Sequence, residues 1–252
     1  MSNPFSLEGR VALVTGANTG IGQGIALSLA LAGADIVAIG RSDPAETGTA
    51  VREAGRRFAH VAADLGDVSA AGPAVEKAFA AFGRGDILVN NAGTIRRADA
   101  LEFSEGDWDA VMNVNLKSVF FLSQAFARQL VPAGRPGKII NIASMLSFQG
   151  GIRVASYTAS KSGVAGLTKL LANEWAGKGI NVNAIAPGYF ATNNTEALRA
   201  DEQRNRDILA RIPAGRWGTP ADLGGAAVFL SSAASDYVHG TVLAVDGGWL
   251  AR

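Results

Sequence analysis

The chain has 252 residues, of which 48% are hydrophobic and 18% charged, so it can bury a substantial core. Its 23 basic and 22 acidic side chains leave a formal net charge of +1, which argues against nucleic acid or an acidic membrane as a partner. The absence of cysteine excludes disulfides and thiolate chemistry, and with only two histidines we expect no metal site.

The first ten residues, MSNPFSLEGR, lack the basic start and the apolar run of a signal peptide. No apolar stretch as long as about 18 residues follows, so no membrane span is expected. These features indicate a soluble protein of the cytoplasm.

Seven short apolar runs are typical of β-strands, and they alternate with longer helix-forming stretches. Most of the runs are apolar throughout, which favours strands buried on both faces of a parallel sheet. The pattern predicts an α/β fold: a single doubly wound (Rossmann-like) domain over residues 1–252, with a seven-stranded, mostly parallel sheet and helices on both faces. The predicted strands are 11–15, 35–39, 58–62, 87–89, 138–142, 181–185 and 242–245, and the predicted helices include 21–31, 73–82, 107–130, 156–176 and 220–233.

One region, residues 189–218, interrupts this alternation because it contains no strand-like run. We interpret it as a polar, helix-containing excursion that covers a substrate site.

The first predicted strand leads into the glycine-rich turn TGANTGIG, after which the first helix begins. Glycines allow positive φ and close approach of a ligand, and the free N–H groups of the helix favour a pyrophosphate. The Gly-x-x-x-Gly-x-Gly spacing is one residue longer than the usual dinucleotide fingerprint, so a structural turn is the alternative. Its place after the first strand favours a dinucleotide cofactor contacted by Gly16, Asn18, Thr19, Gly20, Ile21 and Gly22.

The second predicted strand ends near Gly40, where dinucleotide folds often carry an acidic residue that accepts the adenosine ribose. Here Arg41 and Ser42 follow, and Arg41 could pair with the 2′-phosphate of NADP(H) or stack on the adenine. Asp43 could still reach the ribose, so the sequence leaves NAD(H) and NADP(H) open.

Tyr157 and Lys161 lie four residues apart in a predicted helix and therefore share one face. A nearby ammonium favours the tyrosinate, so we expect it to lower the pKa of Tyr157 towards neutral pH and suit it to general acid–base work. An exposed helical pair is the alternative.

Polar residues also follow the predicted strands at the edge where α/β sheets bind ligands. The Ser144 hydroxyl could polarise a substrate carbonyl, or simply end its strand. Asn91 follows another strand and could be only a turn. Asn115 lies inside a predicted helix, where asparagine is mildly unfavourable unless its amide is buried and bound.

In this order, TGANTGIG, NNAG, the Asn115 of NVNL, Ser144, YTASK and the Pro187-Gly188 pair resemble the motifs of the short-chain dehydrogenase/reductase family, over essentially the whole chain. The resemblance implies an NAD(P)-dependent oxidoreductase acting on a CH–OH group. Its implied catalytic set is Asn115, Ser144, Tyr157 and Lys161.

The same resemblance implies a role for each of these residues. Tyr157 would protonate the carbonyl oxygen that Ser144 holds, Lys161 would bind the nicotinamide ribose and depress the pKa of Tyr157, and Asn115 would position a water. The implied cofactor contacts, beyond the glycine turn and Arg41 and Ser42, are Asp64 and Leu65; Asn91, Ala92 and Gly93; Tyr157 and Lys161; and Pro187, Gly188 and Thr192.

Several further segments (FSLEGR, IRRADALEFSE, NIASMLSFQGGIR, APGYFATNNTEALRADEQR, RIPAGRWG and DGGWLAR) are similar to one subgroup of the family. Members of this subgroup act on keto-deoxy sugar acids in bacterial uronate breakdown, either reducing a 2,5-diketo-3-deoxygluconate-type substrate to 2-keto-3-deoxygluconate or oxidising 2-deoxygluconate at C3. The subgroup's usual cofactor is NAD(H).

A sugar-acid carboxylate favours a guanidinium, and its hydroxyls favour amides. We expect substrate contacts from Ser144 and from side chains in loops of the active face. Arg153 is the first candidate for binding the carboxylate. For each arginine, the alternative is a position on the surface or in a subunit contact. The other candidates are Arg96, Gln149, Asn193, Asn194 and Arg216.

Two other functions stay open from the residues alone. One is a different sugar or polyol dehydrogenase, such as one acting on gluconate, because one scaffold hosts many substrates. The other is a non-catalytic nucleotide sensor, although such proteins usually lose the tyrosine or the lysine. The family resemblance also implies a homotetramer, to which the Gly/Ala-rich helix over 156–176 and the apolar C-terminal tail would contribute flat surfaces.

Overall fold

A seven-stranded sheet forms the centre of the computed structural model, which describes residues 3–252 apart from the side chain of Asn194. The strand order is β3-β2-β1-β4-β5-β6-β7, and each neighbouring pair is parallel. The predicted strands are confirmed to within two residues at either end. They are β1 (Val11–Thr15), β2 (Asp35–Gly40), β3 (Phe58–Ala62), β4 (Ile87–Asn90), β5 (Gly137–Ile142), β6 (Ile180–Pro187) and β7 (Val242–Val245).

Helices cover both faces of the sheet, as predicted. On one face lie α1 (Gly20–Leu31), α2 (Ala45–Glu53) and α9 (Gly224–Ser231); on the other lie α3 (Ala71–Phe82), α5 (Ser118–Leu130) and α6 (Ala155–Trp175).

Alternate residues of the inner strands supply the two cores, because side chains along a strand point to opposite faces. In β1, Leu13 packs into the core that contains Phe126 of α5, whereas Val14 packs into the core that contains Ile25 of α1. Complete burial of such a side chain stabilises the fold by about 2 kcal/mol. Burial of both faces explains why these strands are mostly apolar, with asparagines as the buried polar exceptions in β5 and β6.

The two edge strands differ from this pattern. In β3, His60 and Ala62 are exposed, and every residue of β7 is at least partly exposed. Each edge strand has only one neighbour, so its outer side borders solvent.

The helix predicted over 107–130 is interrupted in the structure. It begins earlier, as α4 (Glu105–Met112), where the Ser104 hydroxyl caps the first turn by accepting the Asp107 N–H at 3.1 Å. A π-helical turn over Asn113–Lys117 then separates α4 from α5. Such turns add one residue to the helix and often accompany functional sites.

The excursion (residues 189–218) contains α7 (Glu196–Ala200) and α8 (Glu202–Arg211), which agrees with the predicted helical content. A parallel bridge between Phe190 and Gly218 joins its two ends. Within residues 3–252, no helix is long and apolar enough to cross a bilayer.

Candidate active site

The predicted site residues gather at the carboxyl edge of the sheet. Asn90 at the end of β4 is in register with Asn141 of β5, and Ile142 at the end of β5 is in register with Ile185 of β6. The segments that leave β4, β5 and β6 therefore start side by side. This is the edge at which open α/β sheets bind ligands.

The glycine turn after β1 has the geometry of a phosphate cradle. Gly16 and Gly20 have φ of 63° and 58°, values that residues with a Cβ rarely adopt. At Gly22 a Cβ would lie 2.2 Å from the Gly16 carbonyl oxygen, so only glycine lets α1 start this close to the turn. The turn is further held by Asn91, whose Nδ2 donates to the carbonyls of Thr15 and Gly16 at 3.0 and 3.1 Å. The side-chain amide of Asn91 thus fixes the backbone of the glycine turn.

The N-terminus of α1 can accept an anionic group. Thr19 is its N-cap residue, and its side chain makes no capping hydrogen bond within the described chain. Thr192 of the excursion lies opposite, since a Cβ on Gly20 would be 3.6 Å from its Cγ2. Free N–H donors and the positive end of the helix dipole suit the pyrophosphate of a dinucleotide, so the residues present fit such a cofactor.

A charged pair lies beyond the end of β2, formed by two residues predicted to contact the adenosine part of the cofactor. The Arg41 guanidinium is 76% exposed and lies 3.8 Å from a carboxylate oxygen of Asp64. The other Asp64 oxygen accepts the Gly66 N–H at 2.9 Å, whereas Leu65 is buried and Ser42 is exposed. A cavity of about 310 Å³ lies beside Asp64, lined also by Ala63, Ala74 and Lys77.

Tyr157, near the start of α6, is the central ionisable group of the site. Burial raises the pKa of its phenol above the usual value, although a hydrogen bond with Ser144 and the positive charge of Arg97 act in the opposite direction. The expectation that Lys161 lowers this pKa towards neutral is therefore wrong. The phenol is held as a proton donor.

Lys161 lies one turn further along α6 and is 5% exposed. Its Nζ donates to the Ile142 carbonyl at 2.6 Å and lies 5.7 Å from the centre of the Tyr157 ring. Burial lowers the pKa of Lys161 to about 8. The ammonium is thus fixed at the end of β5.

Asn115 lies in the π-helical turn and is completely buried. Its Oδ1 accepts the Thr94 N–H at 2.8 Å, and its Nδ2 donates to the Thr94 carbonyl at 2.9 Å and to the Ser160 hydroxyl at 3.3 Å. The amide therefore ties the segment after β4 to α6. This bonding is what compensates for asparagine in a helix.

Two hydroxyls that were not among the predicted site residues hold these parts together. Thr47 of α2, completely buried, donates to the Ala17 carbonyl of the glycine turn at 2.7 Å. Ser147 donates to the Lys161 carbonyl at 2.6 Å, which fixes the segment after Ser144 against α6. Thr47 stands in none of the quoted motifs and Ser147 lies in NIASMLSFQGGIR without being singled out there, because the role of each depends on a partner distant in sequence.

Three predicted substrate arginines already have carboxylate partners in the protein. Arg96 lies 3.2 Å from Asp107, Arg153 lies 3.3 Å from Asp99, and Arg216 makes two hydrogen bonds of 2.8 Å with Asp222. Arg153 also has φ of 64°, uncommon for a residue other than glycine. The structure therefore disfavours Arg153 as the first choice for a substrate carboxylate.

Arg97 is the arginine that sequence reasoning missed. Its charge acts on the Tyr157 phenol, and it forms no ion pair within residues 3–252. The only signal was the pair Arg96-Arg97, and nothing in the sequence distinguished which of the two would be engaged by Asp107.

The remaining substrate candidates lie at the rim. Gln149 is half-buried on the turn after Ser144, and Asn193 is exposed at the start of the excursion. Asn194 is the residue whose side chain lies outside the described part of the chain. The cofactor candidates Pro187 and Gly188 lie at the end of β6, where a Cβ on Gly188 would be 2.6 Å from the Cα of Asp246.

Comparison with known proteins places the chain among oxidoreductases. A family model described as enoyl-(acyl carrier protein) reductase matches residues 16–250. The chain is 66% identical to a 2-dehydro-3-deoxy-D-gluconate 5-dehydrogenase of Dickeya dadantii, over 99% of each protein.

Two solved structures are similar over nearly their whole length. A putative 2-deoxy-D-gluconate 3-dehydrogenase of Agrobacterium tumefaciens with bound NADP is 66% identical, with a TM-score of 0.95 and complete coverage of both chains. A putative NAD(P)-dependent gluconate 5-dehydrogenase of Beutenbergia cavernae, with NADP at low occupancy, is 55% identical with a TM-score of 0.95, covering 99% of this chain and 100% of that one.

Proposed function

The chain belongs to the short-chain dehydrogenase/reductase family and is an NAD(P)-dependent oxidoreductase acting on a CH–OH group, and from this premise we propose that its substrate is a keto-deoxy sugar acid. The reaction we infer is reduction of a 2,5-diketo-3-deoxygluconate-type compound to 2-keto-3-deoxygluconate, and its reverse. The name of the Dickeya dadantii relative supports this substrate class.

One observation carries the proposal: the Tyr157 phenol is hydrogen-bonded with the Ser144 hydroxyl, and the positive charge of Arg97, which forms no ion pair within residues 3–252, acts on the same phenol. Ser144 and Arg97 both favour negative charge on the phenolic oxygen, while burial keeps that oxygen protonated. A proton donor next to a hydroxyl suits a carbonyl oxygen, and a free guanidinium suits a carboxylate. A keto acid has both groups.

The cofactor, when bound, supplies or accepts the hydride. In the proposed reduction, the Ser144 hydroxyl donates a hydrogen bond to the substrate carbonyl oxygen and Tyr157 Oη gives that oxygen its proton. Lys161, whose Nζ is held by the Ile142 carbonyl, supplies positive charge that stabilises the tyrosinate left behind. Asn115 keeps Thr94 and α6 in place during this transfer.

We propose that Arg97 binds the substrate carboxylate. Loss of a charge-assisted hydrogen bond weakens binding by about 2 kcal/mol, so Arg97→Ala should raise KM for the keto acid roughly 30-fold. Arg96→Ala is the matched control, since its guanidinium is engaged by Asp107, and it should change KM less than twofold. Steady-state kinetics on both variants tests the assignment, which an unchanged KM for Arg97→Ala would refute.

We further propose that NADP(H) is an effective cofactor of this enzyme. No acidic residue ends β2, and the exposed Arg41 can exchange its 3.8 Å contact with Asp64 for a 2′-phosphate. The NADP-bound relatives support this choice over the NAD(H) expected from the subgroup. Arg41→Ala should raise KM for NADPH about tenfold and leave KM for NADH unchanged. Equal effects on both cofactors would contradict this role.

We propose a homotetramer located in the cytoplasm. Exposed aromatic side chains on α4 and α5, Trp108 and Phe121, support an interface on that side, because large apolar side chains gain from burial between subunits. Gel filtration with light scattering tests the assembly, and a monomer would refute it. The cytoplasm is where a freely exchanging nicotinamide cofactor is reoxidised and reduced by other dehydrogenases.

A further inference from the structure

The C-terminal tail (residues 246–252) is folded against the active site. The two carboxylate oxygens of Asp246 accept the N–H groups of Gly248 and Leu250, both at 2.9 Å, and so hold the tail in a tight turn. Trp249 at the centre of this turn is 5% exposed. The ring centre of Trp249 lies 4.7 Å from that of Tyr189 and 4.1 Å from the Arg211 guanidinium. The indole is thus fixed on several sides.

The indole N–H of Trp249 reaches the segment that carries Ser144. It donates to Oε1 of Gln149 at 3.3 Å, a contact between residues 100 positions apart. Gln149 lies on the turn after Ser144, where its backbone N–H also donates to the Met145 carbonyl at 3.1 Å. Within residues 3–252, Nε2 of Gln149 makes no hydrogen bond of its own.

This contact selects one of two orientations of the Gln149 amide. A carboxamide can rotate by half a turn with little change in shape, exchanging its oxygen acceptor for its NH₂ donors. An indole N–H can only donate, so it binds the oxygen and leaves the NH₂ group facing away from the tail. A phenylalanine at position 249 would pack in a similar way but would not make this selection.

We propose that Trp249 is a positioning residue that fixes the Gln149 amide, so that its NH₂ group donates to a hydroxyl or carboxylate oxygen of the substrate. This inference rests on the proposed sugar-acid substrate. It assigns to the C-terminal tail a part in substrate specificity, exerted through Gln149.

The test compares four variants in steady-state reduction of the diketo-deoxy acid with NADPH and NADH. Trp249→Phe should raise KM for the keto acid about fivefold, the effect of one neutral hydrogen bond, and leave kcat within about twofold. Gln149→Met should raise KM about tenfold, and the double variant should equal Gln149→Met alone because the indole acts only through the amide. Gln149→Glu keeps an acceptor for the indole but loses the donors, so it should match Gln149→Met.

Trp217→Phe is the matched control. Its indole belongs to the same aromatic cluster, with its ring centre 5.5 Å from that of Tyr189, but it donates to Asn205 at 2.8 Å. Its KM should stay at the wild-type value.

Each outcome bears on a different claim. Failure of the wild-type enzyme to reduce the keto acid would refute the proposed function. If the wild-type enzyme works, three results would overturn the positioning role. The first is an unchanged KM in Trp249→Phe, and the second is that the effects of Trp249→Phe and Gln149→Met multiply in the double variant. The third is an equal rise in KM in Trp217→Phe. If Trp249→Phe fails to fold, Gln149→Glu decides, since a wild-type KM there means that the amide does not donate to substrate.

Discussion

Charged groups have opposite surroundings at the two ends of the parallel strands, the amino edge where the strands begin and the carboxyl edge where they end. At the amino edge, the carboxylates of Asp35 and Asp86 are surrounded by arginines. At the carboxyl edge, Tyr157 is half-buried and Lys161 is buried, and within residues 3–252 neither has a charged partner in contact and Arg97 has no ion pair. The comparison separates the groups that hold the fold together from those that remain available for chemistry.

Asp86 is the clearest example at the amino edge. It is 3% exposed, accepts the Val11 N–H at 2.9 Å and the Arg84 Nε at 2.8 Å, and has Arg10 and Arg135 within 3.6 Å. These partners precede or begin β1, β4 and β5, so one carboxylate joins the starts of three strands. Its two oxygens accept hydrogen bonds from Val11 and Arg84, and both partners belong to the protein.

Asp35 at the start of β2 follows the same logic. Burial raises the pKa of its carboxyl, but hydrogen bonds and positive charge from Arg57, together with the charge of Arg56, outweigh that effect and leave it lowered. By contrast, burial at the carboxyl edge is not compensated. It raises the pKa of Tyr157 and lowers that of Lys161, so both groups disfavour their charged forms.

The largest expected effect is at the carboxyl edge. Tyr157→Phe removes the proposed proton donor and should lower kcat by about 10³-fold, as loss of general acid catalysis typically does. Cofactor affinity and melting temperature should stay near wild type, because the phenyl ring keeps the packing. Turnover within tenfold of wild type would remove Tyr157 from the mechanism.

The amino edge should show the reverse pattern. Asp86→Asn leaves the N–H groups and guanidiniums at the starts of three strands without their shared carboxylate, which should lower the free energy of unfolding by about 3 kcal/mol. The measurement is urea unfolding at neutral pH, with kcat of the folded fraction expected within twofold of wild type. A stable but inactive variant would show that the two edges are not separate in function.

Lys161→Met should abolish activity and yet stabilise the fold by roughly 2 kcal/mol at pH 7, since it removes a buried ammonium whose pKa is lowered from 10.5 to about 8. Below pH 8 the folded wild-type protein carries the full penalty. Between pH 8 and 10.5 the Lys161 side chain is neutral in the folded protein but still protonated in the unfolded chain, so the wild type gains stability with rising pH. The advantage of the variant should therefore shrink over that range in unfolding experiments, and a constant advantage would contradict the assigned pKa.

The smallest effect is on the pH profile of the wild type. If the Lys161 ammonium is required, kcat/KM for reduction, which reports the free enzyme, should fall to half near pH 8. Lys161→Arg, whose guanidinium stays charged, provides the control and should show no decline there. A flat wild-type profile up to pH 10 would argue against the ammonium.

Local patterns in the sequence were sufficient to predict the sheet. Strands buried on both faces are mostly apolar, as in β1, so the bounds of all seven strands follow closely from the runs of apolar residues. The short-range motifs likewise predicted that Ser144, Tyr157 and Lys161 lie together at the carboxyl edge.

The parts that failed depend on contacts between distant residues. Arg153 and Arg97 look equivalent in sequence, and only the folded chain shows that Asp99 engages the former. The sequence shows that Tyr157 has a lysine one helical turn away, which predicts a lowered pKa. It does not show the burial of the phenol, which raises the pKa instead. The helix break at Asn115 depends on hydrogen bonds to Thr94, which no helical periodicity encodes.

The π-helical turn has a consequence for the helix that contains it. An i→i+5 bond adds a residue without adding a turn, so every side chain beyond Lys117 is rotated by about 100° from the position that an unbroken α-helix would give it. The continuous helix formed by α4, the π-helical turn and α5 can thus pack α4 against α6 and α5 against α3. Deleting a single residue between 113 and 117 would restore the regular helical phase, and the two halves of this helix could then no longer face both partners at once.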